Sequence, residues 1–219
     1  MIADVNGIEL YYEVRGSGRP LVMLHGNGED HTIFDEAAEI LQDAFCCYLV
    51  DSRCHGRSTD TPQLHYSDMA GDIVALIDTL GLENVAVYGF SDGGIIGLMT
   101  AAASRRVTTL IVSGANMTPR GVKGAAVIGI FLMNLLRKDK KLRLMLKEPQ
   151  LTEDDLAPIN ARTLVLAGSG DLIKERETRR IAAAIPSAEL RIIKGEDHGS
   201  YIVHSTKIAG LISDFCGKE

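Results

Sequence analysis

The sequence predicts an α/β architecture: a mostly parallel sheet with helices on both faces, an antiparallel hairpin at its start and a small helical cap. Three observations carry this. Short continuous apolar runs recur along the chain, helix-length amphipathic segments alternate with them, and one stretch, Asn116 to Pro158, breaks the rhythm. Runs that are apolar without alternation suit strands covered on both faces, and strands alternating with helices imply crossover connections and parallel pairing.

Taken in order, Ile2 to Val14 holds an Asn6-Gly7 pair between β-prone runs, and Asn-Gly supplies the positive φ angles of a tight hairpin turn. The later strands are expected at Leu21 to Leu24, Cys46 to Val50, Val85 to Tyr88, Thr109 to Val112, Thr163 to Ala167 and Leu190 to Ile193. Helices are expected near Ile33 to Leu41, Ser67 to Leu80, Gly94 to Ala103, Glu175 to Ile185 and Tyr201 to Phe215. The second of these has Ser67 as N-cap, Met69, Ile73, Leu76, Ile77 and Leu80 at helical spacing, and Gly81 as its stop. Asp68 and Asp72 read as its polar face. Between Asn116 and Pro158 no strand is expected; the stretch reads as two or three helices punctuated by Pro149 and Pro158, an insertion over the edge of the sheet.

The chain has 219 residues, 46% of them hydrophobic, which fits one domain over 1–219 with 116–158 as its cap insertion. A formal net charge of -6 gives no reason to expect nucleic acid as a partner. No run reaches the roughly 18 apolar residues of a membrane span, so integral membrane association is not expected. The N-terminus lacks the pattern of a secretory signal, and the mature chain is expected to begin at or near Met1. Cys46, Cys47, Cys54 and Cys216 have neither disulfide-framework density nor zinc-site spacing, so a reducing, cytoplasmic setting is expected.

The chemistry concentrates in Gly89-Phe90-Ser91-Asp92-Gly93-Gly94, a G-x-S-x-G between a predicted strand and a predicted helix. A nucleophile on so sharp a turn needs glycines beside it, because side chains there would strike neighbouring backbone. The helix that follows aims N–H groups and a positive dipole end at the same spot, favouring the negative charge that develops on an attacked carbonyl. The N–H of Asp92 is one expected oxyanion donor. His25-Gly26-Asn27-Gly28 ends an earlier strand and offers the N–H of Asn27 as the second, with His25 as a structural hydrogen-bonding residue. The charges of Asp51 to Ser58 read as loop-fixing.

A serine needs a general base, and the base needs a carboxylate to set its tautomer and support its positive form. Asp171 ends the turn after one predicted strand and His198 follows the last, both at the carboxyl edge where open α/β sheets bind ligands. Asp197 adjoins His198 and points away from it, and His204 falls in the predicted last helix. The expected catalytic set is therefore Ser91, Asp171 and His198, and this chemistry calls for no metal and no cofactor.

These motifs and their order Ser, Asp, His resemble the α/β-hydrolase superfamily, over nearly all of the chain outside Asn116 to Pro158. The segment Gly89 to Gly94, with Asp after the serine, is similar to that of valacyclovir-hydrolase-like and related carboxylic ester hydrolases. The resemblance implies nucleophile, acid and base roles for Ser91, Asp171 and His198, and an oxyanion hole from the N–H groups of Asn27 and Asp92. Haloalkane dehalogenases carry Asp and dienelactone hydrolases carry Cys at the nucleophile, so Ser91 argues against both. Carbon–carbon bond hydrolases and amide-cleaving peptidases keep the serine and stay open, as does a non-catalytic relative that binds a small ligand. Two positions depart from the family pattern: Cys54 stands where glycine is usual, and Arg162 where proline is.

The expected substrate is a small-molecule carboxylic ester. The first half of the insertion is apolar, and Phe131, Leu132 and Leu135 are expected to contact substrate. Its second half, Arg137 to Arg143, is strongly basic and reads as a solvated helix or as attraction for an anion or an anionic membrane face. An apolar cap helix also suits a homodimer contact.

Overall fold

The structure is a computed structural model that describes residues 1–186 and 188–217. Among these residues eight strands form one sheet in the order β1-β2-β4-β3-β5-β6-β7-β8. The strands are β1 (Ile2–Val5), β2 (Ile8–Arg15), β3 (Arg19–Leu24), β4 (Phe45–Val50), β5 (Val85–Phe90), β6 (Val107–Ser113), β7 (Arg162–Gly168) and β8 (Ala188–Ile193). β1 pairs antiparallel with β2, and β2 with β4; every later pair is parallel. The opening turn has Asn6 at φ 47 and Gly7 at φ 77, the left-handed pair a two-residue hairpin demands.

The helices are α1 (Asp35–Leu41), α2 (Tyr66–Thr79), α3 (Asp92–Ala103), α4 (Gly124–Arg137), α5 (Lys140–Lys147), α6 (Glu153–Leu156), α7 (Glu175–Ala184) and α8 (Lys207–Cys216). Along β3, Leu21 and Met23 point into one apolar layer, closed by Ala38 and Leu41 of α1 and Ile212 and Phe215 of α8. Val22 and Leu24 point into the other, closed by Ile73 and Ile77 of α2, Ile95 and Leu98 of α3 and Ile181 of α7. Both faces of the strand are buried, which is why its sequence is apolar without alternation. Among the described residues no helix is long and apolar enough to cross a membrane.

Several boundaries differ from expectation, among them the starts of α2, α3 and α8. α2 begins at Tyr66 with His65 as its N-cap, so Ser67 lies inside the first turn. α3 begins at Asp92, two residues earlier than expected, directly behind Ser91. α8 begins only at Lys207, because Tyr201 and Ile202 are fully buried in a preceding turn and His204 sits there at φ 47. His204 is therefore outside the helix, exposed, with Nδ1 3.3 Å from Glu36.

Between β6 and β7 lie α4, α5 and α6, over the carboxyl end of the sheet. This segment is called the cap below.

Candidate active site

β5 is buried at every residue and runs straight into α3, with Ser91 alone between them. Ser91 is held at φ 53, ψ -115, a backbone conformation that costs a non-glycine residue roughly 1–3 kcal/mol. Its surroundings hold it there. Its N–H donates to the Ser113 carbonyl at 2.8 Å, and its own carbonyl accepts from Gly94 at 2.9 Å and Ile95 at 3.2 Å. A Cβ on Gly89 would lie 2.1 Å from the Gly93 carbonyl oxygen, and one on Gly93 would lie 2.1 Å from that of Leu24. The two glycines let the turn close on itself and against the end of β3.

Asp171 follows β7 and His198 follows β8, and the crossovers bring both to Ser91. His198 Nδ1 lies 2.7 Å from Asp171 Oδ1, and its Nε2 lies 3.0 Å from Ser91 Oγ. An ionised carboxylate only accepts, so Nδ1 carries the proton of the neutral ring and Nε2 is left to accept from the serine hydroxyl. Asp171 is buried, and its Oδ1 also accepts the Ile173 N–H at 2.8 Å. The Phe90 ring lies 5.0 Å from the imidazole centroid, and a Cβ on Gly114 would come 2.7 Å from its Cε1. The ring is packed into one orientation.

The loop after β3 passes against the same serine: a Cβ on Gly26 would lie 3.3 Å from that of Ser91. The Gly26 N–H is taken by Glu29 Oε2 at 2.8 Å, so the next donor along the loop is the N–H of Asn27. Asp92 opens α3, and its N–H is among those of a first turn that lack a partner within the helix. The side chains of these two residues are joined, with Asn27 Nδ2 donating to Asp92 Oδ2 at 2.8 Å and to the Lys141 carbonyl at 3.2 Å. Burial pushes the Asp92 carboxyl above its ordinary range, while Asn27 and Tyr66 hold it down in part. Sequence reasoning misses this link, since nothing local relates two side chains so far apart in the chain.

His25 is buried with both ring nitrogens engaged: Nδ1 lies 2.8 Å from the Gly26 carbonyl, and Nε2 accepts the Ser52 N–H at 3.1 Å. Burial lowers its pKa, which keeps the ring neutral. Asp51 fixes its loop by accepting from the N–H groups of His31 and Arg57, each at 2.8 Å. Asp30, His31 and Asp51 cluster closely enough to hold a cation. Their atoms already bond to one another and to backbone, since Asp30 caps the following turn and His31 Nδ1 lies 2.7 Å from Asp51. Cys54 is buried at φ 65, so a thiol occupies a left-handed position that glycine would fill without strain.

Asp72 corrects the sequence reading. It is buried, and both its oxygens accept from the Arg53 guanidinium at 2.6 Å. The signal is present in the sequence: Asp72 lies three residues after Met69 and four before Leu76, within the apolar stripe. Asp68 is on the exposed side, 3.6 Å from the same arginine.

A cavity of about 300 Å³ opens beside Ser91 and His198. The cap closes it with Ala126, Ile130 and Met133 of α4 and Leu142 and Met145 of α5. Phe131, Leu132 and Leu135, expected at the substrate, are instead 51%, 53% and 57% exposed on the opposite side of α4. The helix is apolar all round, so composition cannot show which side turns inward; the 126, 130, 133 spacing marks the inner stripe. Glu29 also lines the cavity, and burial pushes its carboxyl above the ordinary range. A larger cleft of about 410 Å³ between Pro62 and α5 contains neither Ser91 nor His198.

A family model of the alpha/beta hydrolase fold matches residues 19–131, and the chain belongs to that family. It is 29% identical to the AB hydrolase superfamily protein YisY of Bacillus subtilis, over 95% of each chain. It is 37% identical to a pimeloyl-[acyl-carrier protein] methyl ester esterase of Chromobacterium violaceum, over 43% of this chain and 36% of that one. Among solved structures it is similar to an esterase of Exiguobacterium antarcticum, with TM-score 0.82, 23% identity and 97% of each chain covered. It is also similar to a meta-cleavage product hydrolase of Pseudomonas fluorescens, with TM-score 0.81, 18% identity and coverage of 100% of this chain and 97% of that one. At these identities the structural likenesses speak for the fold.

Proposed function

We propose that the chain is a serine hydrolase of small, uncharged carboxylic esters, working through an acyl-enzyme on Ser91, His198 and Asp171. The observation that carries this reading is the 3.0 Å approach of His198 Nε2 to Ser91 Oγ, with Asp171 2.7 Å behind the ring. His198 takes the serine proton as Oγ attacks the ester carbonyl, and Asp171 supports the imidazolium that forms. The N–H groups of Asn27 and Asp92 hold the oxyanion, aided by the positive end of α3. His198 then protonates the departing alcohol. In the second half it deprotonates a water that attacks the acyl carbon, and collapse of that intermediate releases the acid and returns the proton to Ser91.

The lining of the cavity favours esters over the carbon–carbon alternative. A dicarboxylate product calls for cations within reach, and among the described residues that line the cavity there is no Lys or Arg. Lys140 is tied instead to Asp60 and to the Thr61 carbonyl. The methyl ester esterase of Chromobacterium violaceum among the sequence relatives points the same way.

The test is hydrolysis of p-nitrophenyl esters from acetate to palmitate, with Ser91→Ala and Asp171→Asn alongside. Turnover of the short and medium esters is expected, falling by roughly 10⁴-fold or more in either variant. An inert wild-type protein that still labels with a fluorophosphonate at Ser91 would move the reading to amide or carbon–carbon substrates. Absence of both turnover and labelling would leave a small-ligand-binding protein.

A further inference from the structure

We infer that the outer face of α4 is a docking surface for anionic lipid bilayers. Ile128, Phe131, Leu132, Leu135 and Leu136 follow the i, i+3, i+4, i+7, i+8 spacing by which a helix buries one stripe. They are 51–85% exposed, and among the described residues no residue of α4 is fully buried. The inner stripe, Ala126, Ile130 and Met133, already faces the cavity, so the outer stripe is a second apolar face that this chain leaves uncovered.

The charges around it indicate the occupant. At its C-terminal end stand Arg137, the last residue of α4, and its C-cap Lys138, both exposed. Beside Val127 and Ile128 a shallow depression is lined by Arg120, Lys174 and Arg176 and by no carboxylate. Among the described residues none of these five cations forms an ion pair, although the chain as a whole carries a net charge of -6. An apolar stripe bracketed by unpaired cations matches a surface that offers acyl chains beneath anionic headgroups. A second copy of the chain docked face to face across a two-fold axis would oppose these cations to their own counterparts, which argues against self-association through α4.

The test is sedimentation of the full chain with vesicles of phosphatidylglycerol and, separately, of phosphatidylcholine. Binding to phosphatidylglycerol alone is expected, weakened about tenfold or more by 0.5 M salt, by Arg137→Glu with Lys138→Glu, and by Phe131→Glu with Leu135→Glu. Both double variants should melt at the wild-type temperature, since the residues they change are exposed. The inference is overturned by no binding to phosphatidylglycerol, by equal binding to both lipids, or by light scattering that finds a dimer abolished by Phe131→Glu with Leu135→Glu. Vesicle binding does not depend on turnover, so loss of the ester reading would leave it standing.

Discussion

The turn at Ser91 and the helix α4 face each other across one cavity and are built in opposite ways. Of the twelve residues of α3, nine are buried, and β5 before it is buried throughout. α4 is two residues longer and buries none among the described residues. At the turn, a Cβ on Gly89, Gly93 or Gly94 would lie 2.1, 2.1 or 3.0 Å from its nearest neighbour. On α4, a Cβ at Gly124 or Gly129 would meet nothing within 4 Å. On the proposed reading, the positions that hold the nucleophile are over-determined by packing, whereas the cap presents only one face to substrate. Chemistry should therefore be brittle in the sheet, and selectivity should be adjustable in the cap.

The contrast can be broken most severely at Gly93. Gly93→Ala drives a methyl group into the Leu24 carbonyl, 2.1 Å away, and into that of His25 at 2.7 Å. Urea denaturation is expected to show a loss of about 3 kcal/mol or more, together with loss of turnover. A variant of wild-type stability and activity would show that the turn relaxes, and that its packing does not set the serine.

Acid should act on the sheet side as well. Burial pushes His55 down to about 4, and His25 is lowered by the same cause. A histidine depressed in the folded state is protonated first in the unfolded chain, so stability is lost as pH falls from about 6.5 toward 4. His55 alone contributes a loss of about 3 kcal/mol across that window. Glu29 and Asp92 are raised, which favours the folded state as pH falls and offsets part of the loss. The clean measurement is the urea midpoint at pH 7 against pH 5. It should fall in the wild-type protein and fall less in His55→Gln, whatever the absolute stability of that variant. An unchanged slope would assign the acid sensitivity to other groups.

The smallest effect is expected in the cap. Gly129→Ala adds a helix-favouring methyl group where nothing lies within 4 Å, and should raise stability by about 0.5–1 kcal/mol with turnover unchanged. The comparison with Gly93→Ala, the same substitution with opposite sign, measures the difference between the two regions. Destabilisation by Gly129→Ala would mean that α4 is held by contacts its exposure does not suggest.

Much of the site is legible in the amino-acid sequence. Gly89 to Gly94 is short, the turn dictates its residue types locally, and the strand before it and helix after it announce themselves by pattern. Asp171 and His198 are legible because each follows a recognisable strand, and parallel crossovers return every strand end to one edge. Other features are hidden for definite reasons. Asp72 reads as the solvated side of α2 because an acidic residue ordinarily is, and the Arg53 guanidinium, with Asn6 Nδ2 also donating at 3.1 Å, makes its burial tolerable. The start of α8 lies later than its pattern suggests because Tyr201 and Ile202 are apolar for a buried turn as readily as for a helix.

By itself, then, the sequence determined the α/β alternation, the hairpin, the strained serine and the order of the groups around it, because each depends on residues near one another or on strand ends that the topology must gather. Tertiary structure alone decided which stripe of α4 faces the cavity, that Arg53 closes on Asp72, and that Asn27 ties Asp92 to the cap. Local pattern records whether a face is apolar or a group is polar. Which partner it meets is settled only when separate elements pack, and in α4, apolar on both sides, the packing of one stripe leaves the other exposed.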